Sequence, residues 1–203
     1  LPAFAAESLL FLYTARRQSY MRVLVKNATL IDPSHAAHGQ EFSLLIEDGF
    51  IIEIGNSSAK ADHIITSENL HFSRGWFDPL VSFGEPGYEE RETIANGLHT
   101  AASSGFTHLG LLPNVVPVVD SQSGIVHQKT QANGATCTLH PLGALSLASD
   151  GKQLAELYNM QQAGALAFYD AFQPIHNPQL LKIALEYSQS FDGLLLSHPS
   201  NIT

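Results

Sequence analysis

Apolar residues between Met21 and about Ser67 come in short β-rich groups: Val23 to Val25, Leu30 with Ile31, Phe42 with Leu44 to Ile46, and Ile51, Ile52 and Ile54. Between the last two groups lies Glu47-Asp48-Gly49, whose glycine is free to take positive φ. The pattern predicts a hairpin there and a small antiparallel unit of four or five strands. After Gly75 the texture changes. Strand-like runs at Trp76 to Phe83, His108 to Leu112, Thr138 to Ala144, Ala165 to Tyr169 and Gly193 to Ser197 alternate with helical patterns, the mark of βα units and a parallel sheet. The clearest helix starts with Asn177 as N-cap and Pro178 in the first turn, then sets Leu180, Ile183, Ala184 and Tyr187 on one face. Ile94, Leu98, Ala101 and Ala102 form a similar stripe, and Leu154, Leu157 and Tyr158 begin a third helix. Asp120 precedes a further helical stretch and is expected to cap it.

Five such strands suit either a doubly wound sheet or a (β/α)₈ barrel. A complete barrel takes about 250 residues, more than the 203 of the whole chain. If the architecture is a barrel, the chain is expected to hold roughly its first half. Residues 1 to 20 differ in texture from the β-rich segment after them, with an apolar run, Leu9 to Tyr13, ahead of Arg16 and Arg17. That charge order is the reverse of a signal peptide. Met21 is the expected true start, and residues 1 to 20 a leader or upstream translation.

Composition narrows the classes. With 44% hydrophobic and 14% charged residues the chain reads as an ordinary globular protein. Its formal net charge of −9 offers no electrostatic footprint for nucleic acid or an anionic membrane. The one cysteine, Cys137, rules out an internal disulfide framework and makes a cytoplasmic home the default expectation. No apolar run approaches the roughly 20 residues needed to cross a bilayer.

Chemistry in βα folds stands at the carboxyl ends of strands and in the loops that follow. There the chain presents Asn114 after the second strand, Asp170 at the end of the fourth and His198 after the fifth. An amide at Asn114 could bind a carboxylate, or serve only as a turn former. Glu85-Pro86-Gly87 supplies turn chemistry. Ten histidines invite a metal hypothesis, yet no His-x-His or His-Glu-x-x-His pair occurs. His198 is the histidine best placed to face a barrel mouth, whereas His140 reads as a satisfied core or loop-facing residue. One His and one Asp fall short of the three protein ligands of a catalytic zinc. No nucleophile elbow, Walker loop or dinucleotide fingerprint is present, and nothing marks Cys137 as an activated thiol.

The stretch RGWFDPLVSFGEPGYEERETI, then GFTHLGLLPNVVPVVD, HPLGALS with GKQLAEL, AGALAFYDAFQPI and LLKIALEYSQSFDGLLLSHPSN resembles, in that order, the dihydroorotases of the amidohydrolase superfamily, particularly the long bacterial type. The resemblance runs from about Met21 to Thr203. It implies an N-terminal β-sandwich portion over residues 21–72, followed over 73–203 by the first about five βα units of a TIM-type (β/α)₈ barrel. The family's two first-strand metal histidines fall on Leu80 and Ser82, and its substrate-binding arginine on Gly84. Its metal-bridging second Asp of the fourth strand falls on Ala171, while Asp170 keeps the first. His198 matches a metal-binding histidine and Asn114 an asparagine that helps hold the substrate carboxylate. The general base of active members would lie beyond Thr203.

Leu80 has no donor atom, Ser82 is a poor zinc ligand and Gly84 cannot pair with a carboxylate. The resemblance therefore implies a dihydroorotase-like protein of pyrimidine biosynthesis that is non-catalytic and needs no cofactor. Its role would be scaffold or regulatory partner of aspartate transcarbamoylase. The alternative is an active cyclic-amide hydrolase using zinc held by His198, with Asp170 or residues beyond 203 as further ligands. A third expectation is a fragment whose open strand edge drives homo-oligomer formation.

Overall fold

The computed structural model describes residues 21–55 and 58–200 and divides between Arg74 and Gly75 into two compact units. The leader expected over residues 1–20 lies outside the described residues.

The first unit is one five-stranded mixed sheet of β1 (Arg22–Ile31), β2 (Glu41–Glu47), β3 (Phe50–Gly55), β4 (His63–Ile65) and β5 (His71–Ser73). Antiparallel pairing joins β1 to β2 and β2 to β3, while β4 and β5 both run parallel to β1 at its two ends. The hairpin sits where the sequence puts it, with Asp48 at φ 50° and Gly49 at φ 83°, the pair of positive angles that matches strand twist in a two-residue turn. The apolar groups Val23 to Val25 and Leu30 with Ile31 belong to one long strand. A register shift between Val25 and Ala28, with Asn27 at φ 52°, links them. This bulge keeps Leu24 and Ala28 buried together with Leu44 and Leu45 of β2.

The second unit is a parallel sheet of β6 (Trp76–Val81), β7 (Phe106–Leu111), β8 (Thr138–Gly143) and β9 (Ala167–Phe168), paired in chain order. Between them run α1 (Ile94–Ser103), α2 (Gln122–Gln131) and α3 (Leu157–Gln162), and α4 (Pro178–Ser188) follows β9. Successive strand residues point to opposite faces. Leu109, Leu111 and Leu139 pack on Ile94 and Leu98 of α1, whereas Leu112, Leu142, Ala167 and Tyr169 form a separate cluster. The fifth strand is reduced to one parallel bridge, Phe168 to Leu195. Asn177 caps α4 through Oδ1, which accepts from the Gln179 and Leu180 amides, and Pro178 opens the helix.

Asp120 departs from expectation. The N-cap of α2 is Ser121, and the Asp120 carboxylate instead accepts from the Ala148 amide at 2.9 Å. The loop after β8 passes close enough to offer an unsatisfied backbone N–H, and a carboxylate meets that demand as well as it would meet a helix end.

Candidate functional site

At the carboxyl end of β6 the chain alternates two faces. Val81 and Phe83 pack on the α1 side with Ile94 and Leu98, which turns Leu80 and Ser82 the other way. Leu80 is 39% exposed and brings no polar atom. The Ser82 hydroxyl lies 2.9 Å from Asn114 Nδ2 and 3.2 Å from its Oδ1, and it accepts from Arg91 Nη2 at 3.4 Å. The structure thus brings Ser82 and Asn114 together from two strand ends and adds a cation, Arg91, that sequence reasoning passed over. The only signal was an arginine set in an acidic turn, Glu89 to Glu92, where its direction could not be read.

Gly84 has no space for a side chain. A Cβ there would overlap the Tyr88 carbonyl oxygen. The turn is closed by two backbone bonds, from the Gly84 amide to the Glu92 carbonyl and from the Tyr88 amide to the Gly84 carbonyl, both 2.8 Å. The turn chemistry expected of Pro86 and Gly87 is present, with Gly87 at φ 95°.

Asp170 is 2% exposed and both its carboxylate oxygens accept from one loop. Oδ1 accepts from the amides of Leu145 and Ser146 at 2.8 and 2.9 Å, and Oδ2 from the Ser146 hydroxyl at 2.6 Å. The Ser146 oxygen in turn accepts from the Gly151 amide at 2.8 Å. In this arrangement Asp170 holds the loop after β8 in place. His198 is exposed, with its ring edge-to-face against Phe172 at 6.3 Å between centroids. Among the described residues no hydrogen bond engages it, and no group of three or more His, Cys, Asp or Glu side chains is placed to hold a metal ion. A catalytic zinc needs three protein ligands converging on one point, and the described residues bring no such trio together.

A histidine pair lies lower on the same sheet. His108 Nδ1 and His140 Nε2 are 3.0 Å apart with their rings stacked at 5.2 Å, and Phe77 meets His140 edge-on. Burial, then the charges of His108 and Lys129, lower the His140 pKa below its usual value. His140 is therefore a satisfied strand residue, paired to a partner that its sequence position did not reveal. Cys137 is buried and its thiol pKa is raised by that burial, the opposite of activation.

No family model matches the chain. Dihydroorotases from Syntrophotalea carbinolica, Syntrophus aciditrophicus and Pelotomaculum thermopropionicum are 34%, 35% and 36% identical to it over 187, 182 and 180 residues. Those alignments cover 90%, 88% and 88% of this chain and 43%, 42% and 42% of the relatives, so the chain spans about two fifths of their length. Among solved structures, the L-hydantoinase (dihydropyrimidinase) of Arthrobacter aurescens superposes with a TM-score of 0.72 at 19% identity. It is covered for 41% of its chain by 88% of this one. A dihydroorotase superposes with a TM-score of 0.63 at 12% identity, over 89% of this chain and 51% of its own. Identity along nearly all of the chain makes this protein a homologue of the dihydroorotases, and its parallel sheet shares the fold of these solved structures.

Proposed function

We propose that the chain belongs to a non-catalytic dihydroorotase-like protein of pyrimidine biosynthesis, a scaffold or regulatory partner of aspartate transcarbamoylase in the cytoplasm. The observation that carries this reading is the end of β6. Where metal-binding relatives would need donors, the chain has the hydrocarbon side chain of Leu80 and a Ser82 hydroxyl bonded to Asn114 and Arg91. Support also comes from Asp170, whose two carboxylate oxygens accept from three donors of the neighbouring loop. The partner is taken from the family resemblance alone. No described helix is long and apolar enough to cross a membrane.

A second reading, an amidohydrolase opening a cyclic amide ring, is favoured by one feature: the His198 imidazole is exposed and free of hydrogen bonds among the described residues. Such an enzyme would hold its metal with His198 and with ligands outside residues 21–200. A bound metal would supply an activated water and polarise the amide carbonyl.

Metal analysis of the complete protein, purified without chelators or added metal, separates the two. Well-folded protein with no stoichiometric metal and no ring-opening activity supports the first reading. Tightly held zinc that is lost on His198→Ala, together with ring-opening activity, overturns it. Gel filtration with aspartate transcarbamoylase tests the partner: failure to co-migrate at micromolar concentrations removes that part of the proposal.

A further inference from the structure

Leu109, Leu111 and Leu139 pack with Ile94 and Leu98 of α1, which turns their neighbours His108 and His140 to the opposite face of the parallel sheet, the one that carries Leu80 and Ser82. In the β7–β8 register His108 stands across from Thr138 and His140 across from Gly110, so the two imidazoles are diagonal neighbours. His108 Nδ1 and His140 Nε2 are 3.0 Å apart, a hydrogen-bond distance. Two imidazoles can make that bond only while one of the facing nitrogens is bare. His108 is exposed, whereas His140 is half-buried, with Phe77 of β6 edge-on against its ring. Little around the pair favours extra positive charge. Lys129 of α2 acts on His140 by its own charge, and among the described residues no carboxylate offsets it. Asp78, the acid of β6, gives Oδ1 to the Leu80 amide, and β9 is Ala167-Phe168, without charge.

We propose that His108 and His140 form a pH-operated catch across β7 and β8, which stays closed with one added proton and opens on the second. The first proton goes to His108, the ring open to water, whose Nδ1–H then donates to the bare Nε2 of His140. That step breaks nothing, because the bond becomes charge-assisted. The second proton finds only the same His140 nitrogen. Once it is bound, both facing atoms are N–H donors, the bond is lost and two like charges stand side by side. Burial of His140 and the charge of Lys129 add to the cost of that second charge. The exposed His108 ring is then free to turn into water, and the face carries two separate cations where it carried one closed pair. The catch does not rest on the proposed function, since it uses no metal and no residue at the end of β6.

The complete protein, with ¹⁵N in its histidine rings, is followed by NMR between about pH 4.5 and 8.5. The closed catch shows His108 protonated at Nδ1 and His140 bare at Nε2, and the rings titrate in two separated steps that belong to the pair. Phe77 ring signals move with the second step, while the β7 and β8 amide signals keep their folded dispersion. His108→Ala should raise the His140 titration midpoint by about one pH unit or more, since the like charge and the donor to Nε2 are both gone. His108→Asn, which keeps a polar side chain but gains no proton, should do the same and serves alone if the alanine variant fails to fold. A smaller rise in the folded variant, or independent single steps for the two rings in the wild type, overturns the catch. So does a second step that coincides with loss of the folded amide signals, because the pair would then report unfolding.

Discussion

Asp170 lends itself to the sharpest test of the loop-anchor role. Its acceptors serve two backbone amides and one hydroxyl at 2.6 to 2.9 Å, and Leu145 and Ser146, which supply them, are both 0% exposed. Hydrogen bonds to a charged acceptor contribute about 1.5–3 kcal/mol each, and a buried donor left without a partner costs about 1–3 kcal/mol. These contributions overlap, so Asp170→Ala should destabilise by about 3–5 kcal/mol, the range for breaking a buried charged network. Asp170→Asn keeps the shape and one good acceptor, Oδ1, for the two amides. Its new NH₂ can donate to the Ser146 oxygen, which leaves a loss of about 1–2 kcal/mol from the missing charge. Urea unfolding of the complete protein, with and without chelator, measures both through the shift in midpoint at constant slope. A loss below about 1 kcal/mol for the alanine variant would refute the anchor. So would a loss that appears only when metal is present, since Asp170 would then act through the metal.

Separate places in the fold carry further expectations. Gly84→Arg should lower stability by about 1–3 kcal/mol, because the Tyr88 carbonyl occupies the space; an unchanged melting temperature would contradict this. Asn177→Ala should cost about 1 kcal/mol by leaving the Gln179 and Leu180 amides without their cap, read as a lower urea midpoint that Asn177→Ser largely avoids. The His140 pKa lies below that of the unfolded chain, so the folded state favours the neutral ring. Stability is then fully present above about pH 6.5 and declines as pH falls from there through the folded-state value. His140→Gln should flatten that decline in melting curves between about pH 5 and 8, and an identical slope in the variant would contradict the assignment.

Much of the architecture was legible because it rests on local rules. The Asp48-Gly49 turn, the Asn177-Pro178 helix start and the change from alternating strands to βα units each arise from backbone and side-chain preferences within a few residues. The packing of Val81 and Phe83 against α1, and with it the opposite direction of Leu80 and Ser82, came only from the structure. The sequence by itself therefore determined the order of elements and the chemical types standing at the strand ends. Only the tertiary structure decided what those groups do. Ser82 and Asn114, 32 residues apart, meet because they follow neighbouring parallel strands, β6 and β7, and Arg91 joins them because a closed turn about Gly84 folds it back. His108 and His140 touch for the same reason, although each by itself looks like an ordinary strand residue. Asp170 and Asp120 both resembled exposed functional or capping groups until the loop after β8 brought them its unpaired amides. A carboxylate answers whichever donors the fold brings within about 3 Å, and in a parallel sheet those donors come from the next strand, far away in sequence.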